Sequence, residues 1–448
     1  MVKLKRLKIH KFRNVAQCEM HFDDKVNVLL GKNATGKTTL LNMISQIIRT
    51  GLPAPLDEEF RVEYDLVSHS LATALVPTES KVTVKVSSLK HKGPQSELQP
   101  DGQKVLPLPP DAGGYDFDCD VRITSAEKSI TIRQNAADAP KLRIGLEDGT
   151  QNERTAVAVN EMALRSAIIE AIQPLDESHR FLLLDVFVSF SVCSWAYRFD
   201  ESLDVYRAIV GDGTPSVLSP KLIAIRNAES KASASSVFTR TGLPDQMCAL
   251  LIGQSKEGEP DKEFRLSGTT APEFLKQVTD ILHFKDAGVQ LSRLEKRMVD
   301  GKREEYIYGN LRFSFVKKNG SEINHSLLSY GQKRLLGFYY YLAVNEDVVI
   351  ADELVNGFHH AWIETCLHDM GERQAFLTSQ NPLLLDCLPL ESAEHAQGCF
   401  IACSLKEDAG GESMCWENMS QAGALELYQA YEVGIQHVGD ILRTHGLW

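Results

Sequence analysis

Residues 31–38 read GKNATGKT, and few octapeptides restrict a chain so strongly. The preceding Val26–Leu30 is the apolar run of a short buried strand, and Thr38 to Ile48 keeps helical apolar spacing, so strand, turn and helix come in the order a phosphate-binding loop requires. Gly31 and Gly36 let the backbone curl until its amides point inward. Lys37 puts a cation on the outer phosphates of a nucleotide, and Thr38 offers a hydroxyl to Mg²⁺. The anion would also rest on a helix N-terminus. The loop therefore predicts an α/β nucleotide-binding fold.

A second signature lies far downstream, where the apolar run Val348–Ala351 ends in two adjacent carboxylates. Parallel strands present their functional groups at this end. There Asp352 would hold the Mg²⁺ shell and Glu353 would orient or deprotonate an attacking water. An Asp-Glu pair after a strand is also what a helix N-cap looks like; the upstream loop favours the metal reading.

Taken together, the segments resemble the ABC-type ATPase heads of the SMC and RecF kind, including the related ATPases of OLD-, Gabija- and PARIS-type anti-phage systems. The resemblance is discontinuous and rests on LKRLKIHKFRNV (Leu4 to Val15), the phosphate loop, LSYGQK (Leu328 to Lys333) as a signature loop, and DELVNGFHH (Asp352 to His360). It implies an α/β, ABC-type P-loop NTPase head with an antiparallel β layer, and ATP and Mg²⁺ as cofactors; no Asn-Lys-x-Asp guanine motif occurs. The nucleotide would be held by Asn33, Ala34, Thr35, Gly36, Lys37, Thr38 and Thr39, and the metal by Thr38, Asp352 and Gln134. Gln134 is chosen as the metal-sensing glutamine only because it ends an expected strand. Ser329, Gly331 and Gln332 would close in trans on the γ-phosphate held by a partner subunit. His359 either lines that seam or is a satisfied structural residue. Catalysis would fall to Glu353 and Lys37, with Gln380 where many relatives carry a His. A glutamine donates a hydrogen bond but does not titrate near neutral pH, so hydrolysis is expected to be slow.

The remaining sequence bounds the setting. A chain of 448 residues exceeds one simple core, and 43% hydrophobic with 24% charged residues is ordinary for a globular protein. Nine cysteines without a CxxC pair argue for a reducing, cytoplasmic compartment and against structural zinc. No signal peptide opens the chain, and the longest apolar stretch, Phe181 to Tyr197, contains Asp185 and three serines, which reads as a buried helix rather than a membrane span. A net charge of −12 speaks against general coating of nucleic acid. The exception is Lys3, Lys5, Arg6, Lys8, Lys11 and Arg13, with Leu4, Leu7, Ile9 and Phe12 at buried positions. That run is either the solvated face of a sheet edge or a nucleic-acid contact.

Three lobes are expected. Residues 1–150 hold the phosphate loop and an antiparallel layer, from alternation over Arg61 to Val67, Lys81 to Val86, Tyr115 to Ile123 and Ser129 to Gln134, with a Pro- and Gly-rich loop at His91 to Gly114. Residues 151–300 read as a mostly helical, compact insertion (Thr155 to Ile172, Phe181 to Val210, Pro272 to Phe284) where SMC relatives carry a coiled coil. Residues 301–448 carry the Lys318-Asn319-Gly320 hairpin turn, the signature loop, the acidic pair, two edge strands (Phe400 to Ser404, Met414 to Asn418) and a helix over Leu425 to Arg443. The resemblance implies a homo-oligomer built on head dimers that senses a trigger, such as a phage protein, and controls a separate effector, such as a nuclease, since too few residues follow Gln380 for a nuclease domain. The alternative is a RecF- or SMC-like repair ATPase that binds DNA itself. A transporter motor at a membrane fits less well.

Overall fold

Alternating apolar and polar side chains, broken by turn residues, build two large antiparallel sheets among the described residues. The computed structural model describes residues 2–50, 58–69, 79–90, 115–125, 128–134, 141–155, 176, 179, 198–211, 219–227, 237–254, 261–299, 301–381, 383–408, 411–433 and 440. The chain divides into two compact units rather than three consecutive lobes: residues 1–191 with 390–436 and 440–448, and residues 192–389 with 437–439.

In the first unit, Val2–Phe12, Cys18–His21, Phe60–His69, Glu79–Lys90, Tyr115–Ser125, Lys128–Gln134, Lys141–Leu146 and Gln151–Thr155 form an eight-stranded antiparallel sheet. The four strands expected by alternation are all present. Their inward residues, among them Val62, Tyr64, Val84, Val121 and Ile132, are buried, and each such side chain contributes about 1.5–3 kcal/mol. Leu4, Leu7, Ile9 and Phe12 are buried as expected. Their uneven spacing comes from irregularities between Leu4 and Arg6 and between Ile9 and Lys11, where an extra residue turns the side chains back to the same face. The basic strand is not an edge, because Cys18–His21 and Phe60–His69 flank it.

A second sheet in this unit carries the phosphate loop. Val26–Leu30 pairs in parallel with Phe400–Asp408, which in turn pairs antiparallel with Gly411–Asn418. Phe400–Asp408 therefore has a neighbour on each side, against the expectation of an edge strand. Helix Lys37–Thr50 buries Leu40, Leu41, Ile44, Ile47 and Ile48. Helix Gln421–Val433 buries Ala424 and Leu427; most of the expected helix beyond it lies outside the described residues.

The second unit holds a six-stranded antiparallel sheet, with Val237–Thr241, Lys221–Asn227, Arg303–Val316, Asp286–Val299 and Glu263–Ser267 in that order and Glu322–Asn324 also on Arg303–Val316. The mostly helical reading of the middle of the chain does not hold where it is described. Asp204–Val210, Asp245–Gln254 and Glu273–Ile281 are helices, but they are outweighed by strands, and residues 198–203 are not helical. Thr155, where one expected helix begins, ends the strand Gln151–Thr155, and residues 156–172 and 181–197 lie outside the described residues. The cause of the difference is the long Asp286–Val299 and Arg303–Val316 pairing, which buries Ala287, Val289 and Leu291 at period two together with Tyr306, Tyr308, Leu311 and Phe313. At the expected hairpin turn, Gly320 has φ 85° and donates to Lys317 O at 2.9 Å. A parallel pair, Val348–Ala351 and Gln374–Thr378, is buried throughout. Helix Tyr330–Val344 is joined to it by the Tyr341 hydroxyl, which accepts from Ile350 N at 3.0 Å. Among the described residues no helix is long and apolar enough to cross a membrane.

Candidate functional site

The strand Val26–Leu30 delivers the chain to the phosphate loop, and Asn27 at its start is wholly buried, bonded through both side-chain atoms to the backbone of Asp23. Two glycines then make the curl possible. Gly31 has φ 146°, and a Cβ there would meet Cys403 O at 2.1 Å. Gly36 has φ 86°, and a Cβ would meet Met414 Sδ at 2.3 Å. Between them Ala34 takes a left-handed φ of 68°, a conformation that costs roughly 1–2 kcal/mol in a residue with a Cβ. The Thr35 hydroxyl donates to Lys32 O at 2.8 Å, and Trp416 Nε1 donates to Thr35 O at 3.0 Å from a fully buried indole. Lys37 Nζ donates to Gly31 O at 2.7 Å and Lys32 O at 3.0 Å. The expected residues Asn33 to Thr39 thus form one continuous cradle, with Asn33, Ala34 and Thr38 exposed and Lys37 buried at its base. A cradle that a Cβ would fill, at the first turn of a 14-residue helix, fits a chain of phosphates.

The acidic pair belongs to the second unit, and it is organised by Thr378 at the end of the neighbouring strand. The Thr378 hydroxyl donates to Asp352 Oδ1 and accepts from Glu353 N at 3.1 Å. Arg198 Nη1 lies 3.5 Å from Asp352 Oδ2, and Asp352 N donates to Phe199 O at 2.7 Å, which fixes the carboxylate from the other side. Glu353 has φ 54°, unusual for a residue with a Cβ, and its Oε2 accepts from Gln380 N at 2.8 Å. The structure therefore brings Asp352, Glu353 and Gln380 together. The contact Gln380 makes with Glu353 is through its backbone amide.

The signature loop caps its own helix. Ser329 Oγ accepts from Gln332 N at 3.4 Å while Gln332 Oε1 accepts from Ser329 N at 2.9 Å, a reciprocal capping box. Gly331 packs against Gly357, since a Cβ at Gly331 would meet Gly357 O at 2.5 Å. One turn into the helix, buried Arg334 donates to the carbonyls of Asp200 at 3.1 Å, Glu353 at 3.2 Å and Leu354 at 3.3 Å, and also to that of Asn356. Its guanidinium carbon lies 5.2 Å from the Phe199 ring centroid and 5.3 Å from that of Phe358, and burial pulls its pKa below the usual arginine value. Arg334, Arg198, Thr378 and Trp416 were not picked out from sequence. His359 is exposed, occupies the N-cap position of the helix His360–Asp369 without a side-chain capping bond, and sets its ring against Trp362 at 4.9 Å. Gln134 does end a strand, paired with Cys119 and Leu142; its side chain lies outside the described residues.

The N-terminal cations are matched by acids. Arg6 pairs with Asp65 at 2.9 Å and Glu19 at 3.2 Å, Lys8 with Glu19 at 2.8 Å, Lys11 with Glu59 at 2.7 Å and Arg13 with Glu58 at 2.8 Å. Lys5 pairs with Asp24, and Lys3 Nζ donates to Asp24 O at 3.0 Å.

Residues 2–98 match the family model described as AAA ATPase domain, and residues 199–386 match the one described as AAA domain, putative AbiEii toxin, Type IV TA system. With the phosphate cradle and the strand-borne acidic pair, these matches mark the chain as similar to P-loop ATPase domains. Part of the chain is 29% identical over 123 residues to the DNA replication and repair protein RecF of Psychromonas ingrahamii, covering 23% of this chain and 34% of that protein. A stretch of 99 residues is 54% identical to RecF of Pediococcus pentosaceus, covering 21% of this chain and 25% of that protein. The chain thus spans at most 34% of the length of either relative. Among solved structures it is similar to an SMC head domain from Thermotoga maritima, with 13% identity, TM-score 0.34 and coverage of 92% of this chain and 98% of that one. It is also similar to RecF-ATPrS, described as a recombination mediator protein in the RecFOR pathway, with 13% identity, TM-score 0.31 and coverage of 94% and 98%.

Proposed function

We propose that this chain binds and slowly hydrolyses ATP with Mg²⁺ and uses the cycle as a switch that controls a separate effector. The observation that carries the hydrolytic part is the pinned carboxylate of Glu353, held by Gln380 N–H and ready to orient or deprotonate a water. Thr38 and Asp352 would hold the metal, Lys37 would neutralise charge on the outer phosphates, and Gln134 would sense the metal. The bound metal would draw charge off the phosphates. In a head dimer, the Ser329 hydroxyl and the Gly331 amide at the N-terminus of a 15-residue helix would contact the partner's γ-phosphate, with His359 beside the seam. Gln332 is tied into the capping box, so its part would be to hold Ser329 in place.

Similarity of residues 199–386 to a model described as an AAA domain and putative toxin of a toxin–antitoxin system supports a role within a multi-component system, which the switch reading takes to be anti-phage defence. The RecF matches favour a second reading, a repair ATPase acting on DNA. Pairing of the N-terminal cations with acids weighs against that strand as the DNA contact. The test is Glu353→Gln: single-turnover hydrolysis should fall about 10²–10⁴-fold while ATP binding persists. Wild-type hydrolysis in that variant would remove Glu353 from its role. Mass spectrometry of what co-purifies with tagged Glu353→Gln, with ATP and Mg²⁺ present, separates the readings: an effector protein supports the switch, and nuclease-sensitive DNA alone supports repair.

A further inference from the structure

We infer that His360, Glu364 and Cys387 form a binding site for a transition-metal dication of the zinc type, distinct from the site of the nucleotide's Mg²⁺. Helix His360–Asp369 puts His360 and Glu364 four residues apart on one face, with His360 Nδ1 3.7 Å from Glu364 Oε2. Cys387 follows the short helix Leu383–Asp386, and its Sγ lies 3.8 Å from His360 Nε2. One ligand atom from each of the three residues falls within a span of 4.8 Å. Tetrahedral zinc, with sulfur at about 2.3 Å and nitrogen and oxygen at about 2.0–2.2 Å, sets its ligand atoms roughly 3.2–3.8 Å apart; because an imidazole binds an ion through one nitrogen, rotation of the exposed His360 and Glu364 side chains brings the three donors onto it.

The donor set points to the metal. One nitrogen, one thiolate and one carboxylate suit zinc and its neighbours, whereas Mg²⁺ prefers oxygen ligands and does not compete. A site with a single thiolate also needs no CxxC pair. A Cys-His-Glu nucleophilic relay is the other chemistry these residues suggest. It is disfavoured because His360 Nδ1 and Glu364 Oε2 lie 3.7 Å apart, beyond hydrogen-bond length, so the carboxylate does not orient the imidazole for such a relay. His360 follows the segment that carries Glu353, and Cys387 follows the segment whose Gln380 amide holds that carboxylate. A bound ion would therefore clamp the two stretches that meet at Glu353.

The experiment titrates Co²⁺ into the chelator-treated, full-length protein and follows thiolate-to-cobalt charge-transfer absorption, then adds Zn²⁺. The expected result is a saturable band that Zn²⁺ bleaches, that is absent in Cys387→Ser and that needs at least tenfold more Co²⁺ in His360→Ala. In the wild-type chain, Zn²⁺ should protect Cys387 from iodoacetamide, as read by peptide mass spectrometry. A band of equal strength in Cys387→Ser, or equal alkylation with and without Zn²⁺, overturns the site. The alkylation arm uses only the wild-type chain, so it decides even if a variant folds poorly, and neither arm depends on ATP hydrolysis.

Discussion

Replacing Thr378 by Val keeps the shape of a fully buried side chain and removes only its hydroxyl. That oxygen donates to the Asp352 carboxylate and accepts from Glu353 N. A hydrogen bond to a charged group is worth about 1.5–3 kcal/mol, and leaving the half-buried Glu353 amide without its partner adds about 1 kcal/mol. The sum is about 2–4 kcal/mol against the second unit. For a unit of this size each kcal/mol moves the melting temperature by about 2–4 °C, so a fall of roughly 5–15 °C is expected. Thr378→Ser is the control: it keeps the hydroxyl and loses one methyl, about 1 kcal/mol. Differential scanning calorimetry of both variants, with single-turnover hydrolysis alongside, measures the effect. The Val variant should also lose hydrolysis, because Glu353 loses the bond that fixes its backbone. A Val variant that melts with wild type, or a Ser variant that melts lower than Val, would refute the view that this hydroxyl organises the acidic pair.

Other perturbations separate local strain from long-range support. Gly149→Ala faces open space and should lose only the roughly 1–2 kcal/mol of a left-handed conformation, whereas Gly31→Ala also meets the Cys403 carbonyl and should abolish ATP binding in an equilibrium dialysis assay. Trp416→Phe removes the donor to Thr35 O; the loss of about 1 kcal/mol should weaken ATP binding about fivefold by isothermal titration calorimetry. His179 is desolvated, which lowers its pKa, but Nδ1 meets Asp176 and Nε2 lies 2.9 Å from Glu147, and these partners outweigh burial and raise it. A raised folded-state pKa gives stability that is complete below the unfolded value near 6.5 and is lost as pH rises through the folded one. The melting temperature should therefore fall on going from about pH 6 to pH 8, and His179→Gln should flatten that fall; an unaltered slope would refute the assignment.

What could be read from the sequence was what neighbouring residues decide among themselves. Gly31 and Gly36 are needed by the local curl, the alternation from Arg61 to Gln134 needs only period two, and Lys318-Asn319-Gly320 makes its turn alone. Trp416 was invisible because its partner Thr35 lies 381 positions away. Arg334 is, in sequence, one more cation beside Lys333, and nothing local places it among four carbonyls. Likewise Thr378 is an ordinary strand residue until the fold sets it beside Asp352. In the middle of the chain, Ser292 to Glu305 lies outside the three stretches with helical spacing and shows no strand signal of its own, because its pairing is set by the partner strand: Arg297 meets Glu305 at 2.7 Å and Lys296 meets Glu304 at 3.1 Å across the hairpin.

The distance in sequence between the phosphate loop and its buttress orders events during synthesis. Val28 to Leu30 find their parallel partners only in Phe400 to Ala402, the Cys403 carbonyl closes on Gly31, and the Trp416 indole secures Thr35. A ribosome adding about 5–20 residues per second needs roughly 20–80 s to traverse that interval. Until then the glycine curl has no wall behind it. The nascent chain thus carries its phosphate-loop motif early and acquires the wall behind it late.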